Sequence, residues 1–320
     1  MVSVNPVQPK VIIHGGAGSS LKGKGGADAV RQSLYTVVDD VYSRLLQGEH
    51  ANDAVVRGCQ LLEDEPRFNA GTGSVLQSDG QVRMSASLMD GMAQRFSGVI
   101  NVSRVKNPIN LAHFLQDSPD RVLSDYGAAT LLRELGVPVH DPLTELRLRE
   151  WIQERAGNFQ RAMAGVVAEK ELVTDSNARR GTIGVVVRDR EGNISAGTST
   201  GGKGFERIGR VSDSAMPAGN YANSFAGISC TGIGEDIIDE CLAARIVVRT
   251  TDGLPFHAAF ERSFKEASAH HRDLGAIGID RTGAIAWGKT SDVLLAAYHD
   301  GIERGDTLDS DIGMQTAYRP

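Results

Sequence analysis

Residues 178–187 read ARRGTIGVVV, and the character of the chain changes abruptly within this stretch. A charged, poorly patterned segment ends here and an apolar, β-branched run begins, which predicts that a buried strand starts at Thr182. Gly181 precedes it directly. Glycine tolerates a strained backbone and leaves its carbonyl open to attack, and threonine carries a hydroxyl. The pair therefore raises the question of chain cleavage between them.

A threonine at a chain N-terminus can act as a nucleophile that carries its own base. The α-amine has an unperturbed pKa of about 7.7–8.0, so a sizeable fraction is neutral near pH 7 and accepts the hydroxyl proton. In an uncut chain the same nitrogen is an amide and cannot accept it. Cleavage after Gly181 would activate Thr182, although most isolated Gly-Thr pairs are simply a turn followed by a strand.

The composition indicates a folded chain that acts on a small molecule. The 320 residues are 41% hydrophobic and 23% charged, enough to bury a sizeable core as one domain or two. The net charge of −6 is spread along the chain, which argues against nucleic-acid and membrane partners. The start MVSVNPVQPK lacks the apolar core of a signal peptide, and no apolar run approaches the roughly 18 residues of a membrane span. We therefore expect a cytoplasmic protein.

The three cysteines do not indicate a disulfide framework or a zinc site. Their number is odd and their spacing contains no CxxC pair, since they lie at Cys59, Cys230 and Cys241. We expect all three to be small buried side chains.

Hydrophobic periodicity predicts strands bracketed by helices in both halves of the chain. In the first half the predicted elements are a strand at KVIIH (10–14) closed by the turn GGAG, helices at 26–47 and 51–64, strands around an Asp79-Gly80 hairpin turn, and helices at 108–115 and 127–135. In the second half they are strands around a 190–193 turn, a strand at AGISCTG (226–232), helices at 235–250 and 255–270, strands at AIGID and GAIAW, and a last short helix. This order predicts two stacked sheets with helical layers outside.

The stretch GAIAWGKT, residues 283–290, matches the phosphate-binding pattern G-x-x-x-x-G-K-[ST]. Its middle residues alternate like a strand, and the turn before it, residues 280–283, is typical of a hairpin. We interpret the match as chance, because a phosphate loop needs a tight anion-binding curl at these positions.

A second pattern suggests an α/β-hydrolase esterase. GTSTG (197–201) fits G-x-S-x-G, and HGGAG (14–18) is similar to an oxyanion motif of lipases, which would make Ser199 the nucleophile and His257 or His299 its base. The segment after GTSTG begins with glycines and lacks the helical stripe that the motif requires. This interpretation stays open as an alternative.

Seven motifs in chain order carry a family resemblance: HGGAG (14–18), LEDEPRFNAGTGSVL (62–76), MDG (89–91), GTIGVVV (181–187), TSTGG (198–202), GRVSDS (209–214) and CTGIGE (230–235). With them the sequence resembles the plant-type L-asparaginases, or isoaspartyl aminopeptidases, of the N-terminal nucleophile hydrolases. The likeness covers nearly the whole chain. It implies an α+β fold, an αββα sandwich of two mainly antiparallel sheets between helical layers.

The resemblance also implies processing and an activity. A single domain, residues 1–320, would cut itself into an α subunit (1–181, with a flexible linker at about 157–181) and a β subunit (182–320), and two αβ units would form an (αβ)2 homodimer. The enzyme would hydrolyse the side-chain amide of L-asparagine or of β-aspartyl dipeptides through a β-aspartyl ester. No cofactor is implied for catalysis.

Roles for the reacting half of the site follow from the resemblance. Thr182 would attack the side-chain carbonyl after the bond to Gly181 is cut, and Thr200 would support its hydroxyl. Thr231 and Gly232 would form the oxyanion hole. Physical reasoning favours this last role, because a glycine loop leading into an acidic helix start leaves backbone N–H groups near developing negative charge.

The resemblance assigns the substrate-binding half as well. Arg210 would grip the α-carboxylate of the substrate and Asp213 its α-ammonium group. Gly234 would let the substrate approach the backbone closely, and Asn69 matches a residue near the active site. We interpret His14 as structural.

A structural sodium ion is implied in the loop 62–72, where backbone carbonyls would coordinate it. The implied ligands are Leu62, Glu63, Glu65, Phe68, Ala70 and Thr72.

The sequence departs from the family pattern at four positions, some of them next to the clamp that Arg210 and Asp213 would form. Ser85 stands where the family often carries Asp, Ser212 replaces the usual Gly, and Ala215 and Met216 follow where Pro is common. These departures leave open which leaving group the enzyme prefers. A glycosylasparaginase, a taspase-like protease and a non-catalytic relative that binds amino acids remain alternatives to the asparaginase interpretation.

Overall fold

Two β-sheets stacked face to face form the centre of the protein. The structure, a computed structural model, describes residues 6–18, 25–157, 181–311 and 313–320. The strands within these ranges are β1 (Lys10–Gly18), β2 (Met84–Asp90), β3 (Arg95–Val102), β4 (Val122–Ser124), β5 (Ile183–Arg188), β6 (Ile194–Thr200), β7 (Asn220–Ala222), β8 (Ala226–Gly232), β9 (Leu274–Asp280), β10 (Ile285–Lys289), β11 (Val293–His299), β12 (Arg304–Asp306) and β13 (Gln315–Arg319).

The two sheets differ in size but share an antiparallel design. The larger sheet has the strand order β12-β11-β1-β5-β6-β2-β3-β4, and the smaller one has the order β13-β10-β9-β8-β7. Their pairs are antiparallel apart from β3 with β4. The strand that starts at Ile183 therefore lies in the middle of the larger sheet, between β1 and β6.

Helices cover the outer face of each sheet. The helices of the described ranges are α1 (Ala27–Leu46), α2 (Ala51–Glu63), α3 (Pro108–Phe114), α4 (Asp125–Glu134), α5 (Glu145–Ala156), α6 (Gly234–Glu240), α7 (Leu242–Thr251) and α8 (Phe256–Ala269). Helices α1 to α4 pack on the larger sheet, and α7 and α8 pack on the smaller one. The layer order is helix, sheet, sheet, helix, which confirms the predicted αββα sandwich.

Apolar periodicity explains how the layers join. In α1 the buried side chains recur every three to four residues, so one face of the helix packs on the sheet. In β5, Val185 and Val187 pack in the helix-facing cluster, whereas Val186 belongs to the cluster between the sheets. Each such side chain contributes about 1.5–3 kcal/mol when fully buried. Both faces of β5 are therefore core faces.

The predicted last short helix is wrong, because the C-terminal region forms strands. After GAIAW the chain continues into β11, β12 and β13, and β11 pairs with β1 inside the larger sheet. Leu294 and Ala297 are fully buried on opposite faces of this strand. A short apolar run of this kind cannot be assigned to helix or strand by periodicity alone.

The predicted helix 235–250 is two helices. Cys241 separates α6 from α7 with a φ of 45°, a left-handed conformation that no regular helix contains. The same residue corrects the expectation that all cysteines are buried, since Cys241 is exposed while Cys59 and Cys230 are buried.

Two turn predictions also need correction. GGAG does not close β1, because the strand continues to Gly18 through an irregular register between His14 and Ala17. The Asp79-Gly80 turn exists, but the strands it was expected to join do not flank it. The hairpin in this region joins β2 to β3, and its turn includes Gln94 with a φ of 51°.

Residues 158–180 of the predicted linker lie outside the described residues. Within the described ranges, no helix combines the length and apolarity that crossing a bilayer requires.

Candidate active site

Thr182 lies directly before β5, and its side chain meets that of Thr200 at the end of β6. Pairing of Ile183 with Ser199 places the two threonines across from each other. The Thr182 side chain is buried, and its Oγ1 donates a hydrogen bond to Oγ1 of Thr200 at 3.2 Å. The Thr200 hydroxyl also accepts from the backbone N–H of Gly202 at 3.0 Å. The position of the Thr182 hydroxyl is therefore fixed by its neighbour.

Asn69 connects the predicted cleavage site to the loop that follows β6. Its backbone N–H donates to the Gly181 carbonyl at 3.1 Å, and its backbone carbonyl accepts from the N–H of Gly201 at 2.9 Å. Its side-chain Nδ2 donates to the Gly202 carbonyl at 2.6 Å. A hydrogen bond on the Gly181 carbonyl stabilises negative charge that develops on its oxygen during attack.

Thr231 and Gly232, the predicted oxyanion pair, end β8 on the smaller sheet. Oγ1 of Thr231 accepts a hydrogen bond from the Ala17 N–H at 3.0 Å, which leaves the hydroxyl proton available for donation. Gly232 has a φ of 130°, and a Cβ there would lie 2.6 Å from the Asp273 carbonyl oxygen. Only glycine fits this position.

Arg210 and Asp213, the predicted clamp, pack directly over Gly234. A Cβ on Gly234 would lie 2.5 Å from Nη2 of Arg210 and 2.8 Å from Oδ1 of Asp213. The sequence did not predict a partner for Arg210 within the protein, yet its Nε and Nη2 donate to Oε1 and Oε2 of Glu235 at 2.9 and 3.1 Å. Glu235 therefore orients the guanidinium.

The buried carboxylate of Asp213 is suited to bind a positively charged group of a ligand. Burial raises the pKa of its carboxyl from 3.8 to about 6, and the positive charge of Arg210 opposes part of that rise. Among the described residues, its Oδ2 has no hydrogen-bond partner. The carboxylate is therefore mostly ionised at neutral pH, and a ligand ammonium group would supply the missing donor.

His14, which was interpreted as structural, lies against Thr182, the predicted nucleophile. Its Nδ1 lies 2.9 Å from the Thr182 carbonyl oxygen, and its Nε2 lies 2.9 Å from Oγ of Ser229. Burial lowers the pKa of the imidazole to about 3, with the Thr182 hydrogen bond opposing the shift. The HGGAG motif was the signal in the sequence, and the pairing of β1 with β5 gives it this position.

The alternative esterase site is not assembled. Ser199 points to the opposite face of β6 from Thr200, next to the buried Glu63 of α2. His299 stacks on Tyr42 and lies on β11, which β1 and β5 separate from β6. His257 is in α8 on the far side of the smaller sheet. Neither histidine is placed to act as a base for Ser199.

The phosphate-loop match is a strand, as predicted. Ile285 to Lys289 form β10, and Nζ of Lys289 donates to the carbonyls of Asp292 and Asp311, each at 2.6 Å. The lysine is therefore occupied by the protein's own backbone.

One departure from the family pattern lies beside the Thr182–Thr200 pair. Ser85 of β2 is paired with Thr200 across the strands, and its Oγ accepts from the N–H of Asn101 at 3.2 Å. Ser212 and Ala215 are buried next to Asp213. These departures therefore lie next to Thr200 and Asp213 and leave the threonine pair unchanged.

The loop implied to hold sodium, residues 62–72, includes Asn69 and begins at the end of a helix. Its first two residues, Leu62 and Glu63, belong to the last turn of α2. The Glu63 carbonyl accepts from the N–H of Thr72 at 2.8 Å, and a Cβ on Gly71 would lie 2.3 Å from that carbonyl oxygen. Only glycine fits beside this oxygen, and backbone carbonyl oxygens are a donor type that sodium accepts. No metal-binding cluster of histidine, cysteine or acidic side chains occurs in the described part of the chain.

The chain is similar to known proteins over nearly its whole length. A family profile described as "Asparaginase" matches residues 7–308. The chain is 71% identical over 309 residues to an "Isoaspartyl peptidase/L-asparaginase" of Nostoc sp., covering 97% of each chain. It is 34% identical over 316 residues to the human protein of that name, covering 96% of this chain and 100% of the human one. It is 36% identical over 297 residues to a "Plant-type L-asparaginase" of Pyrococcus abyssi, covering 90% and 95% of the two chains.

Proposed function

Because the chain belongs to the asparaginase family, we propose that it hydrolyses the side-chain amide of L-asparagine and the β-aspartyl bond of isoaspartyl peptides. One observation carries the proposal: the Thr182 hydroxyl follows Gly181 directly and is hydrogen-bonded to Thr200. This geometry suits a threonine that is first released by cleavage and then attacks a carbonyl.

The first reaction is self-cleavage. Oγ of Thr182 attacks the carbonyl carbon of Gly181, and the Asn69 N–H stabilises the charge on the carbonyl oxygen. The C–N bond breaks as the departing nitrogen takes up the proton that the hydroxyl loses, so that an ester replaces the amide. Water then hydrolyses the ester, leaving a carboxylate on Gly181 and a free amine on Thr182.

The second reaction is substrate turnover. The Thr182 amine takes the proton from its own Oγ, which attacks the side-chain carbonyl of the substrate. The Thr231 hydroxyl and the Gly232 backbone stabilise the oxyanion. The amine returns the proton to the leaving nitrogen, and water hydrolyses the resulting β-aspartyl ester.

Substrate recognition uses the part that both substrate types share. Asparagine and isoaspartyl peptides present the same α-carboxylate and α-ammonium groups. Arg210 binds the carboxylate, and Asp213 supplies its unpartnered, buried Oδ2 to the ammonium. The clamp therefore accepts both substrate types, which differ only in the departing amine.

The two fragments, 1–181 and 182–320, stay together after cleavage as one domain. In the larger sheet β1 of the first fragment lies between β11 and β5 of the second, and β6 of the second pairs with β2 of the first. Separation would break three strand ladders inside the sheet. Two such αβ units form the (αβ)2 homodimer that the family resemblance implies, and the loop 62–72 binds a structural sodium ion.

Mass spectrometry combined with a substrate panel tests the function. We expect two fragments, the second beginning at Thr182, and release of ammonia from asparagine and of the free amino acid from β-aspartyl dipeptides. A glycosylated asparagine belongs in the panel, because preferential cleavage of it would favour a glycosylasparaginase. An uncut chain that hydrolyses these substrates at full rate would refute the mechanism.

A further inference from the structure

We propose that His14, Ser229 and Thr198 form a buried hydrogen-bond relay that positions the Thr182 nucleophile, with His14 acting as a positioning residue. The inference rests on the proposed function, because it assigns a role within the same reaction. The relay runs between the two sheets and joins three strands to the residue that reacts.

The relay consists of three short contacts in sequence. His14 of β1 reaches the Thr182 carbonyl oxygen through Nδ1 at 2.9 Å and Ser229 of β8 through Nε2 at 2.9 Å. Oγ of Ser229 then lies 2.6 Å from Oγ1 of Thr198 in β6. The side chains of His14, Ser229 and Thr198 are fully buried. Water therefore does not compete for these hydrogen bonds.

The chemistry of the four groups fixes the direction of every hydrogen bond. A carbonyl oxygen only accepts, so Nδ1 of His14 carries the proton. The ring is neutral because burial disfavours its charged form, and Nε2 is consequently an acceptor. The hydroxyl of Ser229 donates to Nε2, and since its single proton is then used, Thr198 donates to Ser229. The relay thus selects one tautomer of His14.

Holding the Thr182 carbonyl matters most after cleavage. Thr182 lies just outside β5, and the cut removes its bond to Gly181. The orientation of the Thr182–Ile183 peptide then determines how the amine and Oγ of Thr182 are placed. A hydrogen bond to that carbonyl restrains the rotation, and misplacement of a reacting group by about 1 Å can cost about 100-fold in rate.

The glycine at position 184 supports the same interpretation. His14 is paired with Gly184 across β1 and β5. A Cβ on Gly184 would lie 2.0 Å from Oγ of Ser229 and 2.3 Å from Nε2 of His14. The relay therefore occupies the space that any side chain at this position would need.

A matched pair of variants separates positioning from packing. In His14→Asn the side-chain amide nitrogen takes the place of Nδ1 and still donates to Thr182, whereas in His14→Gln it takes the place of Nε2 and does not. We expect His14→Gln to lower kcat about 10- to 100-fold with KM within about twofold, and His14→Asn to keep kcat within about threefold. Rates are measured per Thr182 N-terminus counted by mass spectrometry. His299→Asn is the control, since His299 lies away from the site on β11 and should leave kcat unchanged.

Nitrogen-15 NMR of the wild-type imidazole tests the relay without an activity measurement. We expect His14 as the Nδ1–H tautomer in the full processed enzyme, and Ser229→Ala to keep this tautomer but shift the Nε2 resonance, because Nε2 loses its hydrogen-bond donor. An Nε2–H tautomer in the wild type, or equal kcat values for the Asn and Gln variants, would overturn the relay. If the wild type shows the Nδ1–H tautomer but turns over none of the panel substrates, the proposed function fails while the hydrogen-bond relay stands.

Discussion

The two faces of the β5–β6 strand pair have opposite chemical characters. The face between the sheets carries Thr182, Thr198 and Thr200, whose hydroxyls are each hydrogen-bonded to another side chain. The face beneath α2 carries Ile183, which packs in the apolar cluster, and Ser199, which is paired with Ile183 and lies next to the buried Glu63. The two faces are built from neighbouring residues of the same strands.

The comparison shows that strand alternation decides which hydroxyl can react. Ser199 and Thr200 are adjacent in the sequence, and both belong to motifs of hydrolases. Successive side chains of a strand point to opposite faces, so only one of the two can reach the space between the sheets. The strand register places Thr200 next to Thr182 and leaves Ser199 beneath helix α2.

We expect the largest effect when the hydroxyl of Thr182, the proposed nucleophile, is removed. We expect Thr182→Ala to remain one uncut chain and to lose at least about 10⁴-fold in kcat/KM, because both reactions need its hydroxyl. Electrophoresis and ammonia release measure the two effects. Activity in an uncut Thr182→Ala chain would move the chemistry to another residue.

The adjacent hydroxyls of β6 provide the next test. We expect Thr200→Val to lower kcat about 10- to 100-fold, since the isosteric side chain no longer accepts from Thr182. Ser199→Ala is the matched control on the helix face, with processing and kcat within about twofold and the free energy of unfolding within about 1 kcal/mol. The esterase interpretation would regain support if the Ser199 variant alone were inactive.

Gly184 and Gly197 allow the two faces to be compared by adding a methyl group to each. A Cβ on Gly184 would strike Ser229 and His14 on the polar face, while a Cβ on Gly197 would lie 2.5 Å from Cγ1 of Val55 under α2. We expect Gly184→Ala to reduce kcat about 10-fold or more. Gly197→Ala should lower the free energy of unfolding by about 1–3 kcal/mol and retain kcat per cut molecule. Equal losses of activity in both variants would contradict the division between the faces.

The smallest expected effect is a pH dependence of ligand binding, which arises from the buried carboxylate of Asp213. The pKa of Asp213 in the folded protein is about 6, above its ordinary 3.8. We expect the Kd for L-aspartate, which carries both head groups, to rise about 10-fold between pH 7 and pH 5 as the carboxylate is protonated. Calorimetric titration measures it. A flat profile would exclude Asp213 as the ammonium ligand.

Protonation of Asp213 also affects stability, with a defined sign. Between pH 3.8 and about 6 the folded chain holds a proton that the unfolded chain has released. The contribution of this group to the free energy of unfolding therefore falls by about 3 kcal/mol as the pH rises through that window. Asp213→Asn should remove this slope and raise the KM.

Much of the architecture could be predicted from periodicity. Helices such as α1 and α2 have long amphipathic patterns, and their predicted bounds agree with the structure within one or two residues. The apolar run in β11 has no such pattern, because both of its faces are buried and alternation disappears. The local sequence also did not predict that the helix is interrupted at Cys241, where a left-handed backbone separates α6 from α7.

The sequence by itself determined the order of the motifs and the Gly181–Thr182 junction, and its resemblance to the asparaginase family predicted the site residues, because motifs are read from residue type and spacing alone. Only the tertiary structure decided that His14 contacts Thr182, that Glu235 orients Arg210 and that Ser199 lies on the opposite face of β6 from Thr200. The physical reason is that strand pairing and side-chain alternation bring together residues more than 160 positions apart, and no local pattern encodes that distance.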